Sequence, residues 1–285
     1  MNAGALQKLA IWRKFSQDRW GMLALGIVLV FFLLACLVWW GLAGQGWEEM
    51  IHEAGYSGVS ARHWFGTNFN GQDIFARTLY STKTAFEVGF VVAVCAIGLG
   101  VLLGVLAGFY HGKPLDHVIT WLFACLDSIP FYLLAASIAV TFKEARFGMH
   151  LAMVASLWTS TCKVMRAQVM KIKARSFIEA TQALGASDLR ILFHHVLPNT
   201  APIILIEFSL SFVTAIKTEA VLSFLGLGSK EGVSWGLMLA EASSEIQAGQ
   251  FHNFFAASLF MFTLVMAFNQ LSDALQNALD PKQLC

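Results

Sequence analysis

The chain has 285 residues, of which 57% are hydrophobic and only 13% charged, with a net charge of +1 and a mean hydropathy of +0.63. Soluble domains carry about 25% charged residues, so lipid must cover much of this exterior, and the near-zero charge excludes nucleic acid as a partner drawn in by bulk electrostatics. Cys36, Cys95, Cys125, Cys162 and Cys285 are spaced neither as a CxxC metal pair nor as a disulfide framework.

A membrane-crossing helix needs about 20 mostly apolar residues. In chain order, the first uncharged run predicts a span at 20–41, too long and without the small-residue site of a cleavable signal. Val88 to Tyr110 predicts span two. Val118 to Phe142, interrupted by Asp127 and Pro130, predicts span three, and Phe147 to Cys162 span four. Thr200 to Gly226, carrying Glu207, Lys217 and Glu219, predicts span five; Phe254 to Leu275 predicts span six. Within span two, Gly100, Gly104 and Gly108 fall on one helical face, a small-residue spacing that lets a neighbouring helix approach closely.

Six spans place both termini on one side of the membrane. Lys8, Arg13, Lys14, Arg19, Lys113, Lys163, Arg166, Lys171, Lys173, Arg175, Arg190 and Lys282 would share that side; Arg62, Arg77, Lys83, Lys143, Arg146 and Lys230 would lie opposite. The excess of basic residues marks the first side as cytoplasmic. The expected plan is a cytoplasmic tail at 1–19, a first span at 20–41 and an external segment at 42–84. A core at 85–279 holds the other five spans and a cytoplasmic loop at 163–199, and a cytoplasmic tail at 280–285 follows.

That loop contains "SFIEATQALGASDLRILFHHVLPN", residues 176–199, the most soluble-looking stretch of the chain. Ser176 and Glu179 have the spacing of a capping box. Gly185 suits the left-handed residue that ends a helix. Ser187 or Asp188 can start a second helix, Leu189 to Leu197, expected to stop at Pro198. Phe177, Ala180, Thr181 and Leu184 form a narrow ridge at helical spacing. A helix this short needs a docking surface. An interfacial helix lying on lipid is one reading, which the nearby Lys171, Lys173 and Arg175 also suit. The small, tightly capped ridge fits a protein groove better.

Glu179-Ala180, Gly185 six positions on, and Leu197-Pro198 resemble the EAA loop of binding-protein-dependent ABC importer permeases, with Thr181 and His195 departing from the pattern. The segment at 179–199 is similar to dipeptide/oligopeptide permease C-type subunits. So are "HWFGTNFNGQDIFAR" (63–77, with Asn68, Gln72 and Ala76 at variance) and "EAVLSFLGLG" followed by "SWG" (219–236). The resemblance implies an all-α polytopic fold with six transmembrane helices, whose hairpin is a cytoplasmic coupling helix seated in a cleft of an ATPase. It implies a second homologous permease subunit, two cytoplasmic ABC ATPase subunits that hold the ATP and Mg, an extracytoplasmic substrate-binding protein and an inner-membrane location. Ser176, Phe177, Glu179, Ala180, Thr181, Leu184, Gly185, Leu197 and Pro198 would form the ATPase-coupling element. The cargo would be a di- or oligopeptide, or in related subunits nickel, a metal chelate or another small solute. The sequence contains no GxxxxGK[ST] loop, so no cofactor is expected on this chain.

Charged groups within spans are costly unless paired or hydrated. Asp127, Pro130, Glu207, Lys217 and Glu219 are therefore candidates for the translocation path, with helix-to-helix ion pairing as the alternative, while Asp273 lies near an inner end. The turn-rich "FGTNFNGQD" has one carboxylate, too few for a calcium site. His194 and His195 point about 100° apart on a helix and do not form a metal pair. An intramembrane hydrolase using Ser128 or Ser209 lacks a nucleophile elbow and a deep histidine. An ion-coupled secondary transporter leaves the capped hairpin without a purpose.

Overall fold

The computed structural model describes residues 12–51, 55–142, 147–228 and 232–279. The expectations for Lys8, Lys143, Arg146, Lys230 and Lys282, and for most of the N-terminal tail and all of the C-terminal one, lie outside the described residues. The chain is helical: α1 (Arg19–Trp39), α2 (Ile74–Phe109), α3 (Pro114–Asp127), α4 (Phe131–Thr141), α5 (Gly148–Lys173) and α6 (Ser176–Ala183). Then come α7 (Asp188–Ile191), a π-helical turn (Leu192–Val196), α8 (Leu197–Phe224), α9 (Trp235–Gln247) and α10 (His252–Leu279). Among the described residues the only β-type pairing is an isolated bridge between Thr67 and Asp73.

The helices α1, α2, Asp188–Phe224 and α10 are long and apolar enough to cross a membrane, and the α3–α4 pair, bent by 90°, makes a fifth candidate. The helix expected as another span, α5, is long enough but not apolar enough to count with them. Its 26 residues reach about 39 Å, but its C-terminal half carries Lys163, Arg166, Lys171 and Lys173.

Four boundaries differ from the sequence expectation. The second span begins at Ile74 rather than Val88, because Asp73 caps it by accepting from Ala76 N at 2.8 Å. The fourth runs to Lys173 rather than Cys162, its charged C-terminal end packing on the bundle through Met165, Val169 and Ile172. The third is two helices broken at Ser128–Pro130. The stretch around "SWG" opens α9, where Ser234 accepts from Leu237 N at 3.1 Å.

The core forms around α2. Its N-terminal half meets α1, α8, α9 and α10 through Phe31, Phe86, Phe212, Trp235 and Phe268, with Phe212 stacked on Phe268 at 4.2 Å. Its C-terminal half meets α5. A Cβ on Gly100 would lie 2.8 Å from Trp158 O, one on Gly104 2.5 Å from Cys162 O, and one on Gly108 2.6 Å from Arg166 O. The contacts climb together along both helices, so α2 and α5 run parallel, backbone against backbone. Lys173 closes their shared end by donating to Phe109 O at 2.6 Å. Lys14 likewise donates to Asn277 O at 2.7 Å, so the start of α1 and the end of α10 lie together.

Candidate functional site

The hairpin grows from the end of α5. Arg175 is in an extended conformation and starts α6, with Ser176 as its first helical residue. No side chain caps this end, so the capping box expected of Ser176 and Glu179 does not form. Tertiary packing sets the register instead. Ile178 is fully buried among Val105, Phe109, Met165, Val169, Ile172 and Ile191, which fixes how α6 leaves α5. Glu179 remains in the first turn, where a carboxylate favours the positive end of the helix dipole.

The other end is closed as expected. Gly185 has φ +82°, Gly185 N donates to Gln182 O at 2.9 Å, and Ala186 N donates to Thr181 O at 3.3 Å. That pair of bonds is a Schellman closure. Ser187 then starts α7. Ile178 holds one side of α6 in the core while the opposite ridge is bare: Phe177 is 40% and Leu184 89% exposed, Ala180 is exposed and Thr181 is half-buried.

Pro198 does not end the second helix. Leu197 N bonds Leu192 O across the π turn, and Asn199 and Thr200 side chains donate to His195 O and Leu197 O. The widened turn absorbs the hydrogen bond that proline cannot donate, so the helix continues from Asp188 to Phe224. His195 packs its ring 6.4 Å from that of Phe177.

The candidate path residues separate into three settings. Asp127 ends α3 and accepts from Thr159 Oγ1 at 3.0 Å and Lys163 Nζ at 2.8 Å, both on α5. With Pro130, Ser156, Ser160, Leu157 and Phe131 these groups line a cavity of about 390 Å³ at the α3–α4 break. Glu207 is half-buried and accepts from Thr161 Oγ1 at 3.2 Å, while Lys217 is exposed on α8. Glu219 is turned inward and accepts from Ser223 Oγ at 2.5 Å. The structure thus gathers Asp127 and Pro130 and leaves Glu207, Lys217 and Glu219 apart from them.

Two charged clusters were not anticipated. At the start of α3, Asp116 is 2% exposed and accepts from Arg166 Nε at 2.6 Å and Arg166 Nη2 at 2.9 Å. Gly112 N at 3.0 Å, Thr120 Oγ1 at 3.2 Å and His111 Nδ1 at 2.8 Å complete its shell. The available signal was Pro114 followed by an acidic residue in a first turn. At the start of α2, Arg77 donates to Gln72 and, at 2.8 Å, to Glu241, and Phe69 N donates to Glu245 at 3.2 Å. Burial pushes the Glu245 carboxyl upward in pKa, aided by nearby Glu241; the Phe69 amide, Asn253 and Arg77 pull it back in part. This cluster fastens the turn-rich segment before α2 to α9.

Comparison with known proteins places these elements. Residues 100–284 match the model of a family described as "Binding-protein-dependent transport system inner membrane component". The chain is 33% identical over 275 residues to a dipeptide transport system permease protein of Alkalihalophilus pseudofirmus, covering 95% of this chain and 90% of that one. It is 31% identical to an oligopeptide transport system permease protein of Bacillus subtilis, covering 99% and 94%. It is also 31% identical to a glutathione transport system permease protein of Pectobacterium atrosepticum, covering 95% and 90%. With a helical bundle built to cross a membrane and a family match over more than half its length, the chain belongs to the inner-membrane components of binding-protein-dependent transport systems.

Proposed function

We propose that this chain is one of two homologous permease subunits of an ATP-driven importer of di- or oligopeptides. Two cytoplasmic ATPase subunits bind and hydrolyse ATP with Mg, and an extracytoplasmic binding protein delivers the cargo. The relatives named for dipeptide, oligopeptide and glutathione transport support a peptide cargo. The observation that carries the coupling role is α6 itself: a helix rooted by Ile178, closed by Gly185, and presenting a bare Leu184 and a Phe177 that is 40% exposed beside the ring of His195. In the assembly Phe177, Ala180, Thr181 and Leu184 enter a cleft of the ATPase. Ser176, Glu179, Gly185, Leu197 and Pro198 hold the lever that delivers its motion to α5 and α8.

The basic-residue bias and the meeting of Lys14 with Asn277 support cytoplasmic termini on the hairpin's side. Asp127, Pro130, Glu207 and Lys217 border the route between the two permeases, since an exposed or half-buried charge at span depth requires water or a protein partner. Glu219, enclosed in the bundle, supports that wall.

The test is uptake of labelled peptide into proteoliposomes holding both permeases, both ATPases and the receptor. Leu184→Asp alters a side chain outside the core, so the bundle keeps its unfolding temperature while ATPase capture and ATP-dependent uptake are lost. Uptake at the unmodified rate with Leu184→Asp would overturn the coupling role.

A further inference from the structure

The helix α3 has an unusual attachment. A break bounds α3 at each end: Gly112, with φ +77° and open space around it, and the Ser128–Pro130 turn, where the chain bends by 90°. Most of its surface is uncovered, with Val118 and Trp121 more than 60% exposed, and Ile119 is its one fully buried apolar side chain. Ion pairs pin it to α5 at both ends. Asp116 and Asp127 are separated by about 16 Å of α3, whereas Arg166 and Lys163 are separated by about 4.5 Å of α5. The two helices therefore cross obliquely, and α3 is held by its end pins and by one narrow strip, Ile119, Phe123 and Leu126, packed on α2 and α5.

The pins are unequal. Asp116 sits in the first turn, where the helix dipole favours an anion, and takes two bonds from Arg166 besides those from Gly112, Thr120 and His111. Asp127 sits at the last turn, where the dipole disfavours an anion, and takes only Thr159 and Lys163. The side chains of Asp127 and Lys163 are 35% and 47% exposed within the chain, against 3% and 23% for Asp116 and Arg166, so this pair is both less bonded and less enclosed. One pin is built to persist and the other to part.

We propose that α3 is a hinged arm closing the cavity at the α3–α4 break, with Asp116 and Arg166 as its pivot and Asp127 and Lys163 as its releasable latch. These four are positioning residues for transport. The inference rests on the transport reading above and adds the element that moves. Lys163 lies ten residues before the end of α5, from which the hairpin springs, so displacement of α6 reaches the latch through one continuous helix. A swing of about 12° about Asp116 carries Asp127 roughly 3 Å, enough to break a charge-assisted hydrogen bond.

The test joins Ile129→Cys, in the turn that ends the arm, to Ser160→Cys on α5, both lining the cavity, with a short reducible cross-linker. The native Cys36, Cys95, Cys125, Cys162 and Cys285 are first replaced by alanine, both pins remain, and the complete transporter is reconstituted. The uncross-linked protein takes up cargo with ATP; cross-linking abolishes uptake and reductant restores it. Undiminished uptake with the link fully formed overturns the arm. A second measurement follows ATP consumed per cargo. Lys163→Gln leaves hydrolysis running with less cargo moved per ATP, and Asp127→Lys with Lys163→Asp restores the ratio. Failure of the exchanged pair to restore it removes the latch. If the uncross-linked complex, with ATPases bound, moves no cargo at all, the transport reading fails instead.

Discussion

Gly104→Ala puts one methyl group where α2 and α5 lie closest. The added Cβ would stand 2.5 Å from Cys162 O and 2.8 Å from Met165 Cβ, so the helices must part by about 1 Å to restore ordinary contact. Overpacking of this kind costs about 1–3 kcal/mol. The intrinsic preference for alanine over glycine inside a helix returns about 0.5–1 kcal/mol. The net is a loss on the order of 1 kcal/mol, or about 2–4 °C in unfolding temperature for a chain of this size. Gly98, six residues before Gly104 and about 120° round the helix from it, has nothing within 4 Å of its would-be Cβ. Gly98→Ala therefore keeps the propensity gain without the clash and unfolds at the same or a higher temperature. Thermal unfolding of the two purified variants in one detergent isolates the close contact. Equal unfolding temperatures, or a more stable Gly104→Ala, would refute the backbone-to-backbone packing.

Arg166→Met strands Asp116 in a buried site, and breaking such a pair costs about 3–5 kcal/mol; the retained bonds from Gly112, Thr120 and His111 place the loss at the lower end. Arg166→Met combined with Asp116→Asn recovers part of the unfolding temperature. Gly185→Ala forces a side chain into a left-handed conformation costing about 1–2 kcal/mol, so it loosens the hairpin and weakens ATPase retention on co-purification while the bundle's unfolding is nearly unchanged. Glu245 has a native pKa raised above its ordinary 4.5, so its contribution to stability is full below that value and is lost as pH rises through the raised one. The stability of the native chain relative to Glu245→Gln should accordingly fall with rising pH; a difference that grows instead would contradict the buried placement.

Much of the bundle was legible because lipid imposes length and hydropathy directly: α1 and α10 begin and end close to the runs that foretold them. The missed boundaries have physical causes. Polar residues such as Arg77, Thr78 and Ser81 made 74–87 look external, yet they turn into the bundle, where Arg77 meets Glu241 and Trp235 donates to Thr78 O. Lys163 and Arg166 made the end of α5 look like a loop, yet each has a carboxylate on α3. Those partners lie 36 and 50 residues away, and a single sequence carries no sign of such pairing. The hairpin's closure at Gly185 was readable because it is local backbone chemistry. Its opening was not, because burial of Ile178 outweighs the local capping signal of Ser176 and Glu179. Pro198 misled for a similar reason, since the π turn before it is set by Leu192 and Val196 reaching the core.

The central claim is that α6 is a cytoplasmic lever gripped by an ATPase. Leu184→Cys, in a chain with no other cysteine, reports on it directly through a thiol reagent that does not cross membranes. In inside-out vesicles lacking the ATPase the cysteine should react, and with the ATPase bound it should be shielded; in right-side-out vesicles it should not react. Labelling from the outer face, or equal labelling with and without the ATPase, would contradict the account.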